Sequence, residues 1–94
     1  MPYVLIRHKV RNFGKWKPAY NDHGMTRKTA GSKGAQLFRN VDKPNETVIL
    51  FKWNRLDTAR KFAKSRDLRA AMKRAGVMEK PDIYFLEEVD HSRA

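Results

Sequence analysis

The segment Glu46–Trp53 constrains the fold of this chain more than any other, because it is a short strand pattern with apolar residues on both faces. Side chains alternate along a strand, so each face needs its own cover. One face holds Thr47, Ile49, Phe51 and Trp53, and the other holds Val48 and Leu50. A chain of 94 residues has helices for only one side of a small sheet. The side of the sheet that the helices leave open therefore predicts a partner that covers it.

Composition narrows the class of protein. The chain has 21 Lys and Arg against 10 Asp and Glu, a net charge of +11, and no cysteine. Disulfides and thiol chemistry are excluded, and the charge predicts either a solvated basic surface or one that binds nucleic acid or another anion. The longest apolar runs fall far short of the roughly 20 residues that cross a bilayer. We expect a cytoplasmic protein without membrane contact.

The local patterns predict the order β-α-β-β-α-β. Strands are predicted at 2–10, 35–41, 46–53 and 82–89, and helical segments at 14–28 and 56–75, with a loop at 30–34, a hairpin turn at 42–45 and a helix break near Ser65. Pro18 is tolerated in the first turn of a helix, which places the first helix start near Gly14 or Lys15. The order is typical of a ferredoxin-like α+β domain with helices on one face of an antiparallel sheet, spanning 1–94 with a frayed tail at 90–94.

The sequence lacks the residue patterns that metal binding and base stacking on the sheet require. The three histidines, His8, His23 and His91, have no metal-ligand spacing, so no metal or cofactor is expected. The same topology serves RNA recognition, in which a third strand with glycine and exposed aromatics stacks bases. The third strand here is aliphatic and lacks glycine, which disfavours nucleic acid on the sheet.

Two strings of residues resemble a known group of proteins. The first runs from Val10 to Lys17 and continues with Tyr20, His23, Arg27, Lys28 and Gly31; the second is Trp53 followed by Ala59, Phe62, Ser65, Leu68, Met72, Ala75 and Gly76. Together they resemble dimeric α+β barrel proteins similar to antibiotic biosynthesis monooxygenases, over residues 3–89. The resemblance implies a homodimer whose two sheets pack face to face, with the helices outside.

The activities in that group include cofactor-independent oxygenation of aromatic polyketides and degradation of haem. Haem degradation relies on an asparagine near the end of the first strand, a tryptophan ending the third, and a late helix histidine. Trp53 matches, but His8 occupies the asparagine position, and Met72 or Lys73 stands where the histidine is needed. Within that group, the resemblance therefore implies a monooxygenase-like enzyme acting on a small aromatic or polyketide-like molecule.

The resemblance implies a pocket between the first helix and the sheet. His23 is predicted to take a phenolic proton and Tyr20 to hydrogen-bond the substrate, with an enolate held by Arg39 or Arg7. The predicted ligand-binding residues are Trp16, His8, Phe38, Arg39, Trp53 and Tyr84. The alternative is that these side chains only pack the core, and that the protein is a non-catalytic basic module for an anionic ligand or nucleic acid. That alternative requires the cations of residues 60–74 on one exposed face.

Overall fold

The computed structural model describes residues 1–94 as a four-stranded antiparallel sheet covered on one side by helices. The elements are β1 (Tyr3–Lys9), α1 (Phe13–Asp22), α2 (Gly24–Ala30), β2 (Ser32–Arg39), β3 (Glu46–Trp53), α3 (Leu56–Ala63), α4 (Arg66–Ala75) and β4 (Asp82–Leu86). The sheet order is β2-β3-β1-β4. This confirms the ferredoxin-like α+β class. In the structure, each of the two predicted helical segments is a pair of helices. None of them is long and apolar enough to cross a membrane.

Capping residues mark the start of α1 and both ends of α4. The side chain of Asn12 accepts a hydrogen bond from the Lys15 N–H and caps α1. The predicted position of Pro18 in the first turn is wrong, because α1 starts at Phe13 and Pro18 lies in the second turn. The second pair breaks as predicted: Ser65 caps α4, and Gly76 ends it with φ of 86°.

Two strand boundaries differ from their predictions. β2 begins at Ser32, so residues 32–34 of the predicted loop at 30–34 belong to the strand, and a bulge between Ser32 and Gly34 leaves Lys33 without a partner on β3. β2 ends at Arg39 and β4 at Leu86, earlier than expected. The predicted strand residues beyond them, Val41 and Val89, are about nine-tenths exposed and have no pairing partner.

The two faces of the sheet differ sharply in cover. Beneath the helices lie the buried side chains of β1 and β3, namely Val4, Ile6 and His8, with Thr47, Ile49, Phe51 and Trp53. The opposite face carries Leu5 at its centre, paired with Leu50 on β3 and Tyr84 on β4. No element covers that face, and the molecule measures only 21 Å in its thinnest direction against 34 and 33 Å in the others. The helices therefore cover the face of β3 that includes Ile49 and leave open the face that includes Leu50.

Candidate active site

A pocket lies between α1, α2 and α4 and the covered face of the sheet. Fourteen residues line it, and 11 of them are hydrophobic. The polar members are His8 on β1, His23 between α1 and α2, and Arg27 on α2; Tyr20 adds a hydroxyl. Its free volume is about 50 Å³. Since an apolar cavity that binds benzene measures about 150 Å³, an aromatic ligand requires side chains to move.

A stack of three side chains forms one wall. Trp16 and Tyr20 are one helical turn apart on α1, with ring centroids 5.0 Å apart and nearly parallel planes. The Arg27 guanidinium carbon lies 3.9 Å from the Tyr20 ring centroid, and Nη1 donates to the Tyr20 carbonyl oxygen at 2.7 Å. Burial lowers the pKa of Arg27. Burial also raises the pKa of Tyr20, an effect that the Arg27 charge partly opposes, so Tyr20 keeps its phenolic proton at neutral pH.

His8 lies at the floor of the pocket. Its Nδ1 lies 2.7 Å from Oγ1 of Thr47, its partner across the β1–β3 ladder. Its ring meets the Trp16 ring edge to face at 5.4 Å. Desolvation lowers the pKa of His8, with a smaller opposing effect from its own backbone carbonyl. His8 is therefore neutral at pH 7 and has the capacity to accept a proton.

His23 lies at the rim, where α1 meets α2. Its Nε2 is 3.0 Å from Oδ2 of Asp67 in the first turn of α4, and its ring lies 6.3 Å from the Phe62 ring. The His23 side chain is 14% exposed, whereas that of Asp67 is 61% exposed. The contact joins the first helix pair to the second across the pocket.

The structure brings four of the eight predicted site residues together: His8, Trp16, Tyr20 and His23. Phe38 and Tyr84 lie on the open face of the sheet, about half exposed, and do not line the pocket. Register with β3 and β1 turns these two residues away from the helices.

The remaining predicted residues also lie outside the pocket. The Arg39 guanidinium carbon lies 4.6 Å from the Phe13 ring centroid. Trp53 is fully buried beside Phe62, at a centroid distance of 4.8 Å, and its Nε1 has no hydrogen-bond partner. Arg7 projects from the open face and pairs with Glu46 and Asp82.

The cation that the sequence interpretation missed is Arg27. The signal was available, because Arg27 follows Trp16, Tyr20 and His23 on one helical stripe. Arg7 and Arg39 were predicted to hold the anion instead. The face of the sheet on which each of them lies depends on strand register. No group of three His, Cys, Asp or Glu side chains converges anywhere in the chain to hold a metal ion.

The lowered pKa of His8 predicts a pH dependence of stability. The unfolded chain protonates this histidine near its ordinary pKa of about 6.5, whereas the folded chain keeps it neutral to lower pH. The free energy of unfolding should therefore fall as pH drops below about 6.5, by at most about 1.4 kcal/mol per pH unit, until the folded pKa is reached. Urea melts across this range should show the slope, and His8→Gln should remove that part of it. An unchanged slope in the variant would contradict the assignment.

Comparison with known proteins identifies the fold. No family model matches the sequence, and no curated protein matches it. Among solved structures, an antibiotic biosynthesis monooxygenase-like protein from Bordetella bronchiseptica is 17% identical, with a TM-score of 0.78 over 94% of this chain and 96% of that chain. A similar protein from Caulobacter crescentus is 18% identical, with a TM-score of 0.74 over 95% and 90%.

A third likeness is to an oxygenase. SnoaB of Streptomyces nogalater, a cofactor-independent oxygenase, is 14% identical, with a TM-score of 0.78 over 99% of this chain and 97% of that chain. Identities this low establish a shared fold. The resemblance drawn from the sequence is thereby confirmed for the architecture: the chain has the fold of the antibiotic biosynthesis monooxygenase-like α+β proteins.

Proposed function

We propose that the protein is a cofactor-independent, monooxygenase-like enzyme of the cytoplasm that acts on a small aromatic molecule in this pocket. The observation that carries the proposal is the composition of the pocket wall. Aromatic and aliphatic side chains surround one cation, two imidazoles and a phenol, with no carboxylate among the lining residues. Such a wall suits a flat, acidic organic ligand.

The chemistry requires little from the protein. An electron-rich phenol, such as one that carries further hydroxyl groups or fused rings, reduces O2 itself once it loses its proton, so the protein supplies a base and a site that stabilises the anion. One oxygen atom of O2 becomes a carbonyl oxygen on a ring carbon, whose C–H bond breaks, and the other leaves as water with that hydrogen and the phenolic hydrogen, so a phenol and O2 give a quinone and water. Arg27 is the cation of the wall and has no carboxylate partner, which makes it the side chain suited to hold the anion.

The substrate must open the pocket, whose free volume is about 50 Å³. Tyr20 and Arg27 are partly exposed, whereas His8, Ile49 and Phe51 are buried. The outer side chains are therefore the ones that would move to admit a ring. A ligand that enters there displaces the Tyr20–Arg27 contact and occupies the space beside Trp16.

The test is oxygen consumption with a panel of phenols and hydroxyquinones, with product mass measured after reaction in isotopically labelled O2. Tyr20→Phe and Arg27→Gln should each lower kcat/KM by about tenfold or more, the typical loss of a hydrogen bond to a developing charge. Tyr3→Phe removes a phenolic hydroxyl that does not line the pocket and is the matched control. The absence of labelled product from every member of the panel would refute the oxygenase.

We also propose that two copies of the chain associate through the open faces of their sheets. This face carries a central apolar group formed by Leu5, Val48, Leu50, Tyr84 and Leu86, without any helix over it. Both faces of the sheet are apolar, but helices cover only one of them. A second identical sheet that packs against the open face would bury it and form a sandwich of two sheets.

The expected result of replacing Leu5 by aspartate is a monomer with an intact fold. Leu5 is central on the open face, so a second copy would bury the new carboxylate without a partner. Light scattering at micromolar concentration should give twice the chain mass for the parent protein and the single mass for Leu5→Asp. A parent protein that is monomeric under these conditions would contradict the dimer.

A second candidate function rests on the helices α3 and α4. Arg60, one of the seven predicted cations, is exposed but lies over the Phe85 ring at 4.6 Å. The other six exposed cations on and between these helices, which we call the outer basic face, are Lys61, Lys64, Arg66, Arg69, Lys73 and Arg74. The inward side of α4 holds Leu68, Ala71, Met72 and Ala75, so its cations point to solvent. None of the six pairs with a carboxylate, and the only acid among residues 60–74 is Asp67, which contacts His23.

This arrangement is unfavourable in the isolated chain. Like charges at spacings of three and four, such as Arg69 with Lys73, destabilise a helix by a few tenths of a kcal/mol each, and Arg66 lies at the positive end of α4. The negative charge of a bound nucleic-acid backbone would relieve both the repulsion between the like charges and the unfavourable position of Arg66. The face has no aromatic side chain to stack bases, so the binding would be to phosphate and independent of sequence.

Titration with duplex DNA at several salt concentrations tests this second function. Six phosphate contacts predict a slope of log K against log salt of about −5. A double variant, Arg69→Glu with Lys73→Glu, should abolish binding, whereas the control Lys15→Glu on α1 should reduce it only slightly. Binding that does not depend on salt would eliminate this candidate.

A further inference from the structure

His8 presents a free imidazole nitrogen to the pocket. Its Nδ1 is engaged by Thr47, but its Nε2 forms no hydrogen bond within the chain. That Nε2 is not sealed among apolar atoms, since Trp53 Nε1 is the single buried side-chain polar atom left without a partner. The nitrogen therefore faces the free volume that His8 lines.

The Thr47 hydroxyl selects the tautomer of His8. Its oxygen lies 2.7 Å from His8 Nδ1 and 3.3 Å from the His8 carbonyl oxygen. A hydroxyl has one proton, and the carbonyl is an acceptor only. Both contacts are hydrogen bonds only when Thr47 donates to the carbonyl and Nδ1–H donates to Thr47. In that arrangement Nε2 carries a lone pair directed at the pocket.

The other histidine of the pocket is less suited to accept a proton from a ligand. His23 lies at the rim, and its Nε2 already contacts Asp67. The remaining charged group that lines the pocket is Arg27, and no carboxylate does. A ligand that lost a proton to His8 would become an anion facing one cation, and its charge would favour the protonated imidazole beside it.

We propose that His8 Nε2 is the proton acceptor for an acidic aromatic hydroxyl, held as a base by Thr47, and that the resulting phenolate pairs with Arg27. This rests on the proposed function in its choice of ligand class. The proton passes from the ligand oxygen to Nε2, and the O–H electron pair remains on the oxygen as phenolate. The proton acceptor in the pocket is then His8. The sequence predicts His23 for that role.

The first test measures the tautomer without any ligand. Heteronuclear NMR of the imidazole nitrogens at neutral pH should show His8 protonated at Nδ1 and unprotonated at Nε2. Thr47→Val removes the hydroxyl and should shift His8 toward the Nε2–H form, while Thr58→Val on α3 serves as the matched control. A parent protein with His8 protonated at Nε2 would overturn the proposal.

The second test uses 4-nitrophenol, whose phenolate absorbs at a longer wavelength than the phenol. The titration is done without oxygen, at a pH where the free probe is mostly protonated. Binding to the parent protein should produce the phenolate band, and 4-nitroanisole, which has no acidic proton, should bind at least about tenfold more weakly.

The variants separate the two histidines. His8→Gln should lose the phenolate band, and Arg27→Gln should weaken it about tenfold or more, while His23→Asn should retain it. Circular dichroism of each variant verifies the fold, and Thr47→Val provides a second route to the base if His8→Gln does not fold. A band retained in both His8→Gln and Thr47→Val, or lost in His23→Asn alone, would overturn the proposal. This test contains no oxygen. If the parent protein shows the phenolate band but fails the oxygen assay, only the proposed oxygenase function is refuted, and the role of His8 as proton acceptor stands.

Discussion

Replacing Val4 by aspartate is expected to unfold the protein at 25 °C. Val4 is fully buried on β1, one of the two central strands, beneath the helices and outside the pocket, so the new carboxylate would be withdrawn from water among apolar side chains. An unpaired buried charge costs several kcal/mol, and the lost valine packing adds to it. Small domains are stable by only about 5 to 15 kcal/mol. Circular dichroism and urea melts should show loss of the cooperative transition.

The adjacent variant Leu5→Asp is the control, because it introduces the same charge one residue away on the open face. We expect it to retain the circular dichroism spectrum of the parent protein while losing the dimer. The pair therefore tests which face the helices cover. A folded Val4→Asp together with an unfolded Leu5→Asp would reverse the assignment of faces.

Replacing Gly31 by alanine is the second change with a large expected effect. Gly31 has φ of 133°, a conformation that residues with a side chain rarely adopt. A Cβ there would also lie 2.6 Å from Nε1 of Trp53 and 2.6 Å from Oδ1 of Asn54. Trp53 is fully buried, so a shift of its ring would disturb its packing in the core. Backbone strain of about 1 to 3 kcal/mol and the overpacking together predict a loss of about 3 kcal/mol or more.

Gly34→Ala provides the matched control for this prediction. Gly34 also has a left-handed backbone, with φ of 152°, but a Cβ there would meet no atom within 4 Å. It should carry only the conformational strain, so the difference between the two variants in urea melts isolates the clash against Trp53 and Asn54. Equal losses of stability in the two variants would show that the contact is unimportant.

The boundaries of β3 illustrate what local pattern encodes. The strand runs from Glu46 to Trp53 as predicted, because its alternation is unbroken and a turn at 42–45 precedes it. Ser65 and Gly76 likewise mark the limits of α4 as predicted, since a capping hydroxyl and a left-handed glycine act on their own neighbours in the chain. The start of β2 was missed because Gly31 and Gly34 indicate a loop, while pairing with β3 extends the strand to Ser32.

The pocket shows the limit of the same reasoning. Trp16, Tyr20 and His23 were predicted to act together because helical spacing alone aligns them, and the structure brings them together. Phe38 and Tyr84 were predicted to join them from strands, but strand alternation separates two faces without indicating which one the helices cover. Their position on the open face follows from register against residues far away in the sequence.

The amino-acid sequence by itself determined the order of elements, the two-faced apolar strand β3 and the aromatic stripe of the first helical segment, because each depends on residues within a few positions of one another. The tertiary structure alone decided that the face with Ile49 is covered, that Arg27 stacks on Tyr20, and that Thr47 engages His8. The physical reason is that these contacts join residues on different elements, whose approach depends on strand register and helix packing and leaves no mark in local periodicity.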